Sequence, residues 1–385
     1  MPTIAPRAQP PFRADHVGSL LRPARLLTAR EQFLGPQTPQ ANLGPHDNSD
    51  LRAVEDGAVR DCIAMQERVG LRAATDGEFR RRSWWLELIL GWEGFAADRT
   101  GSTSIGWRNE TGVVQAFSAL NVTGKIRWRP SSTVRAFQFL QANTRLVPKV
   151  TLPAPNTVHY FVGDGKNINK AAYPEMESFW TDLIALYQQE LLALVAAGAR
   201  YIQYDDTTFA FLCDPMHREH VRSWGEDPDR LMRTYAARIN ETLAVLPADV
   251  VVTFHQCRGN REGLWAAQGG YDPVAEILFN GVNVNGYFLE YDSARAGGFE
   301  PLRFLPKGKV VVLGVMSSKT GELESADTLM RRVDAAAKYA PLDQLAIGPQ
   351  CGFASSIKGN PLSHPEQEAK LARLVEVATR IWGGV

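Results

Sequence analysis

Short runs of hydrophobic β-formers alternate along this chain with longer stretches whose apolar residues return every three to four positions. Val250-Val251-Val252-Thr253-Phe254 is a run of the first kind. Residues 50–69, with Leu51, Val54, Val59, Ile63 and Met65, are of the second. The first pattern suits a buried strand and the second an amphipathic helix. Strands are predicted at 13–20, 73–79, 149–155, 201–205, 250–257, 281–290, 309–316 and 344–348. Helices are predicted at 50–69, 176–197, 228–246, 325–339 and 364–382. Strand–helix alternation argues for a parallel sheet. Eight strands predict an α/β fold, a (β/α)8 TIM barrel made as one domain from residues 1–385. Residues 80–147 are too long for one connection. Their tryptophans (Trp84, Trp85, Trp92, Trp107, Trp128) and the alternating segments 113–117 and 124–129 predict an inserted hairpin or small subdomain after strand two. Residues 35–50, polar with Pro and Gly, predict a loop.

Composition narrows the function classes. At 44% hydrophobic, 385 residues bury a substantial core. Net charge is zero, which gives no reason to expect nucleic acid or an anionic membrane as partner. No apolar run approaches the roughly 20 residues of a membrane span. The first eleven residues hold prolines and no apolar stretch of the secretory kind. Four cysteines, Cys62, Cys213, Cys257 and Cys351, do not form a disulfide framework in so long a chain, so a reducing, cytoplasmic setting is expected.

Candidate chemistry gathers at the predicted strand ends, where barrel active sites lie. Strand five ends in His255-Gln256-Cys257, and residues two apart on a strand share a face. Strand six ends in Glu290 and strand eight runs into Cys351. Two thiols, an imidazole and a carboxylate suit tetrahedral Zn²⁺. Packed thiols and a surface acid are the ordinary alternative. A second cluster, Cys213, His217 and His220, follows strand four, in a segment that reads as exposed. Strand one leads to Gly18-Ser19, whose peptide N–H groups suit a carboxylate. Strand two leads to Glu78 and strand four to Asp205, acids that suit an ammonium group or a helix cap.

The segments His16-Val17-Gly18-Ser19-Leu20-Leu21-Arg22-Pro23, Thr75-Asp76-Gly77-Glu78, Ile202-Gln203-Tyr204-Asp205-Asp206, His255-Gln256-Cys257, Phe288-Leu289-Glu290 and Pro349-Gln350-Cys351-Gly352 carry a resemblance. From residue 12 to about 382 the chain resembles the catalytic domain of the cobalamin-independent methionine synthases. It resembles more closely the shorter, single-domain methionine-synthase-like proteins. The resemblance implies a (β/α)8 barrel and zinc held by His255, Cys257, Glu290 and Cys351. It implies homocysteine as the thiol that joins the zinc, its carboxylate near Gly18-Ser19 and its amino group on Glu78 and Asp205. Two departures stand out. Pro155 occupies the place of the family's folate-stacking tryptophan after strand three. Lys319, or Ser318, stands where the family has a proton-transferring histidine after strand seven.

Zinc coordination would lower the pKa of a substrate thiol from about 8.5 and present a thiolate. The expected activity is a zinc-dependent methyl transfer to a thiol, homocysteine giving methionine. The donor would be a folate, a methylcorrinoid or another methyl compound, with methyltetrahydrofolate expected to be poor because of the two departures. Opening of an epoxide by a thiol, as in the epoxyalkane:coenzyme M transferases, belongs to the same chemistry. A metal-free barrel of the uroporphyrinogen decarboxylase type and a zinc-stabilised binding protein are the other classes. Oligomeric state is not legible in the sequence.

Overall fold

A computed structural model of the chain describes residues 6–36, 44–98, 106–109, 111–116 and 119–385. Its centre is a curled sheet of seven strands: β1 (Ala73–Ala74), β2 (Val147–Pro153), β3 (Tyr201–Asp206), β4 (Val251–Gln256), β5 (Gly286–Glu290), β6 (Val310–Met316) and β7 (Leu345–Pro349). They pair in chain order, and every pairing is parallel. The strands are buried over nearly their whole length, as helices on the outer face require. Helix Pro228–Leu243 shows how those helices form. Asp227 caps its first turn, Pro228 sits where no N–H is needed, and Leu231, Met232, Tyr235 and Ile239 make its buried stripe. Helices Ser49–Arg68, Met176–Ala196, Ala326–Ala336 and His364–Trp382 lie where the periodicity predicts them. Helix Ala24–Leu34 was not predicted. Part of the predicted loop at 35–50, residues 37–43, lies outside the described residues.

Between β1 and β2 the chain builds helix Leu86–Leu90, two small antiparallel sheets and helix Ser132–Asn143. Glu93–Asp98 pairs with Ala119–Arg127, and Gly106–Asn109 with Gly112–Ala116. The second hairpin is tied to the rim of the large sheet. The Arg108 N–H donates to the carbonyl of Trp265 (2.6 Å), and the Arg108 guanidinium pairs with Asp214.

Two predicted strands are corrected. Residues 73–79 give only the two-residue β1, because the Gln66 side chain takes both backbone groups of Thr75, at 2.9 Å each. The chain then turns through Gly77 and Glu78 at positive φ. Residues 13–20 form no strand and make a single bridge, Ala14 to Ile347 of β7. Beyond it, three successive carbonyls are taken by side chains from inside the curl. Lys149 Nζ donates to His16 O (2.6 Å), Gln203 Nε2 to Val17 O (2.6 Å) and Thr75 Oγ1 to Gly18 O (2.6 Å). The Leu20 N–H then donates to Gly77 O next to β1 (3.1 Å). The segment therefore spans the gap between the two edges of the sheet while its middle is held by β1, β2 and β3 side chains.

Lys149 is the most demanding of these partners. It is fully buried, 3.3 Å from Asp15 Oδ1, with its ammonium over the Phe288 ring. Truncating one partner of a buried pair leaves the other charge uncompensated. Lys149→Met is expected to destabilise the protein by about 3–5 kcal/mol in denaturant titration. A loss under about 1 kcal/mol would show that the His16 carbonyl does not depend on it.

Candidate active site

The C-terminal ends of β4, β5 and β7 bring His255, Cys257, Glu290 and Cys351 together. Donor atoms of His255, Cys257 and Cys351 all lie within 4.8 Å of one another. The two sulfurs are 3.2 Å apart, and all three residues are buried. The His255 ring is fixed by one nitrogen: Nδ1 lies 3.2 Å from the Phe288 carbonyl, which only accepts, so Nδ1 donates. Nε2 is buried and has no hydrogen-bond partner among the described residues. Glu290 stands one step back. Its Oε1 is 3.9 Å from Cys257 Sγ, and its oxygens accept from Arg258 N (3.0 Å) and Gln350 Nε2 (3.3 Å). Lys319 is placed against Glu290, 3.9 Å from Oε1, and does not line the cavity described below.

The sulfurs share their protons unequally. The hydrogen bond between them is the first cause of both shifts: it holds the Cys351 thiol well below its ordinary value and pushes Cys257 well above. The nearby His255 and Lys319 charges also favour the Cys351 thiolate.

His255, Cys257 and Cys351 form part of one wall of a cavity that Ser19, Glu78 and Asp205 also line. Gly18 lies just behind, at φ +148, and a Cβ there would stand 2.9 Å from Glu78 Oε1 and 2.7 Å from the Thr151 methyl. Only glycine fits so close an approach. Glu78 itself is a non-glycine residue at φ +59, a costly conformation that the surroundings must impose. Arg22 donates to its carbonyl (2.7 Å) and Thr151 Oγ1 to its carboxylate (2.9 Å). Across the cavity, a Cβ at Gly352 would overlap Ser19 Oγ, so the loop after Cys351 packs directly on Ser19.

Asp205 and Glu78 are both buried acids, and both are raised. Burial first, and then the charge of Glu78, push the Asp205 carboxyl up to about 7. Burial raises Glu78 in the same way, against the pull of Arg81. Neither caps a helix. Asp206 takes that kind of role, accepting from Phe209 N (3.3 Å) and from Thr157 and Asn156.

The second sequence cluster is not a metal site in this arrangement. The segment enters helix Pro215–Arg222 with Pro215 in its first turn; Pro215, Glu219 and Arg222 are exposed and His220 is half-buried, while Cys213 and His217 face the interior. His217 uses both nitrogens, on Tyr160 Oη (2.7 Å) and on the Ala266 carbonyl (3.0 Å), and Cys213 Sγ lies 3.5 Å from the Phe209 carbonyl. The sequence reading overlooked Gln203 and Gln350. Gln203 Nε2 donates both to Val17 O and to Asp205 Oδ1 (2.6 Å), so one amide orients the acid and the 17–19 stretch together. Its position two residues before Asp205 on a strand was the available signal. Gln350 bridges Glu290 to Ser318, whose N–H it accepts at 2.6 Å.

The chain is similar to known proteins over most of its length. The family model for the cobalamin-independent synthase catalytic domain matches residues 39–380. Uncharacterized protein YxjH of Bacillus subtilis (strain 168) is 38% identical over 97% of this chain and 95% of its own length. A protein named methionine synthase from Pyrococcus abyssi is 27% identical over 81% of this chain and 79% of its own. A crystal structure from Listeria monocytogenes, under the provisional name vitamin-B12 independent methionine synthase, superposes with a TM-score of 0.73 at 33% identity, covering 99% of both chains.

The Asp205 shift has a consequence for stability. A carboxyl at about 7 when folded, against an ordinary value near 3.8, keeps its proton in the folded state while the unfolded chain loses it. Stability is thus drained as pH rises from about 4 to 7, and the full deficit persists above 7. Asp205→Asn, which cannot ionise, is expected to melt higher than the parent at pH 8 and near the parent at pH 4. A melting difference that does not change between these pH values would show that Asp205 ionises freely in the fold.

Proposed function

Because the chain belongs to the cobalamin-independent synthase catalytic-domain family, we propose that it is a zinc-dependent, cytoplasmic methyltransferase that methylates the thiol of homocysteine. In this reading residues 1–385 are one domain, 80–147 is an insertion, and the 13–20 segment closes the sheet into a (β/α)8 barrel. The observation that carries it is the His255 ring, anchored through Nδ1 on a carbonyl, with its buried Nε2 beside two thiols 3.2 Å apart, in one cavity with paired buried acids. A buried imidazole nitrogen turned to two thiols, with the other nitrogen anchored on a carbonyl, is what a metal ligand requires. His255, Cys257 and Cys351 would hold the ion, with Glu290 as the fourth ligand. When bound, zinc supplies a lowered thiol pKa and so a thiolate nucleophile at neutral pH.

The chain's own residues do the rest. Glu78 and Asp205 bind the acceptor's ammonium, and in their charged forms they offset its buried positive charge. The backbone at Gly18-Ser19 receives its carboxylate. Arg258 N–H and Gln350 orient Glu290. Lys319, near Glu290, acts through that acid as a positioning group and balances a ligand set rich in negative charge. The small-molecule thiol and the methyl donor are the partners.

Purified protein is expected to carry one zinc per chain by elemental analysis. Cys257→Ser and Cys351→Ser should lose it, while Cys62→Ser and Cys213→Ser should keep it. Full zinc in Cys351→Ser would overturn the ligand set, and metal-free wild-type protein with turnover would favour decarboxylase-type chemistry.

Glu78→Gln and Asp205→Asn should each weaken homocysteine binding by about tenfold, since a hydrogen bond to a charged group contributes roughly 1.5–3 kcal/mol. Zinc content should not change. Calorimetric titration showing wild-type affinity in both variants would remove these acids from the acceptor site.

A further inference from the structure

The wall of the cavity opposite the sheet is aromatic. Trp84, Trp85, Trp107 and Phe161 line it, with Trp85 stacked on Phe161 at 4.6 Å between centroids and Trp84 tilted against Trp85 at 6.3 Å. This wall is tied to the thiol cluster through backbone. The Trp84 N–H donates to the Ser355 carbonyl (3.1 Å), and Ser355 Oγ is 3.7 Å from Cys351 Sγ. Pro155 has no share in it: the residue is buried at the start of helix Pro155–Tyr160 and does not line the cavity. At the rim the same cavity is cationic. Arg82, Arg261 and Lys358 line it, with Glu262 beside Arg261 (3.9 Å) and Lys358 (3.4 Å) and the charge of Glu87 acting on Arg82.

Ring faces attract cations most strongly where water is excluded, and aromatic cages are a standard seat for methylated onium groups. Guanidinium groups suit a carboxylate. On the proposed methyltransferase reading, we infer that this wall seats the methyl donor, and that the donor is a small zwitterion carrying its methyl on a sulfonium or quaternary ammonium centre and bearing a carboxylate. The onium lies against Trp84 and Trp85, and the carboxylate on Arg82 and Arg261. The acceptor sulfur attacks the donor methyl carbon. A sulfur–carbon bond forms as the carbon–onium bond breaks, the electron pair stays on the donor heteroatom, which becomes a neutral thioether sulfur or tertiary amine nitrogen, and the donor leaves as the carboxylate anion. The acceptor's thiol proton goes to water. No further reactant is needed.

Glycine betaine and its uncharged-centre isostere 3,3-dimethylbutanoate separate cation recognition from shape and from the carboxylate. Calorimetric titration of the zinc-loaded protein should show betaine tighter by about tenfold. Trp84→Leu should erase that preference and Trp84→Phe should keep most of it. Arg82→Gln should weaken both probes alike. With homocysteine as acceptor, dimethylsulfonioacetate should give methylthioacetate and methionine in equal amounts, faster than methyltetrahydrofolate gives methionine. Equal affinity for the two isosteres, a preference that survives Trp84→Leu, or faster turnover with methyltetrahydrofolate than with either onium donor would overturn the inference. Zinc content and homocysteine binding, measured on the same samples, distinguish the failures: if both persist, the donor class alone is wrong, and if both are absent, the methyltransferase reading falls with it.

Discussion

The site depends on three backbone carbonyls that the sheet does not satisfy. His16, Val17 and Gly18 turn their oxygens into the interior of the curl, where Lys149, Gln203 and Thr75 receive them. Buried carbonyls left alone would each cost about 1–3 kcal/mol. Giving them side-chain donors instead of a ladder frees the segment to cross above the strands. It thereby carries Gly18 and Ser19 to the place where β3, the 75–78 turn and the loop after Cys351 meet. Gln203 binds this arrangement together, since one amide holds both the segment and Asp205.

Holding two carboxylates in that place works against stability. Glu78 takes a left-handed backbone, both acids are desolvated, and the charge of Glu78 raises Asp205. Such strain concentrates where a ligand of opposite charge relieves it. The thiol pair next door is a similar arrangement, in which two buried sulfurs at 3.2 Å divide their protons unequally. Both clusters are costly as they stand, and on the proposed reading a cation offsets each, an ammonium in one and a metal ion in the other. The stabilising mass of the fold lies elsewhere, in the apolar strands and the stripes of the outer helices.

Much of this is legible in the sequence, for reasons that differ between residues. The strand 251–256 and its His255–Cys257 pair follow from a run of β-branched residues and a period of two, both local properties. The long helices follow from local periodicity in the same way. The failures are non-local. Nothing within 13–20 says that its carbonyls will find Lys149 and Gln203, more than a hundred residues away, so an apolar run reads as a strand. The shortness of β1 depends on Gln66, a helix residue that captures Thr75. The polar look of 213–220 suggests exposure, yet His217 is buried because Tyr160 and Ala266 supply its partners. The tryptophans of 80–147 are visible as a cluster, but which of them reach the cavity depends on distant backbone ties, Trp84 to Ser355 and Arg108, next to Trp107, to Trp265.

The cavity is assembled from two sources that the chain keeps apart. Its floor, with the thiols and acids, comes from strand ends and from the tightly hydrogen-bonded segments around Gly18 and Glu78. Its aromatic wall comes from connecting segments at 84–85, 107 and 161, which meet the floor through a few backbone contacts. Connections of this kind accept substitution far more readily than the strands they join. An alteration to the wall therefore leaves the nucleophile's setting intact. On the proposed reading, a lineage built on this scaffold is free to exchange one electrophile for another by rewriting loops, and an engineer redirecting it has a separable module to redesign.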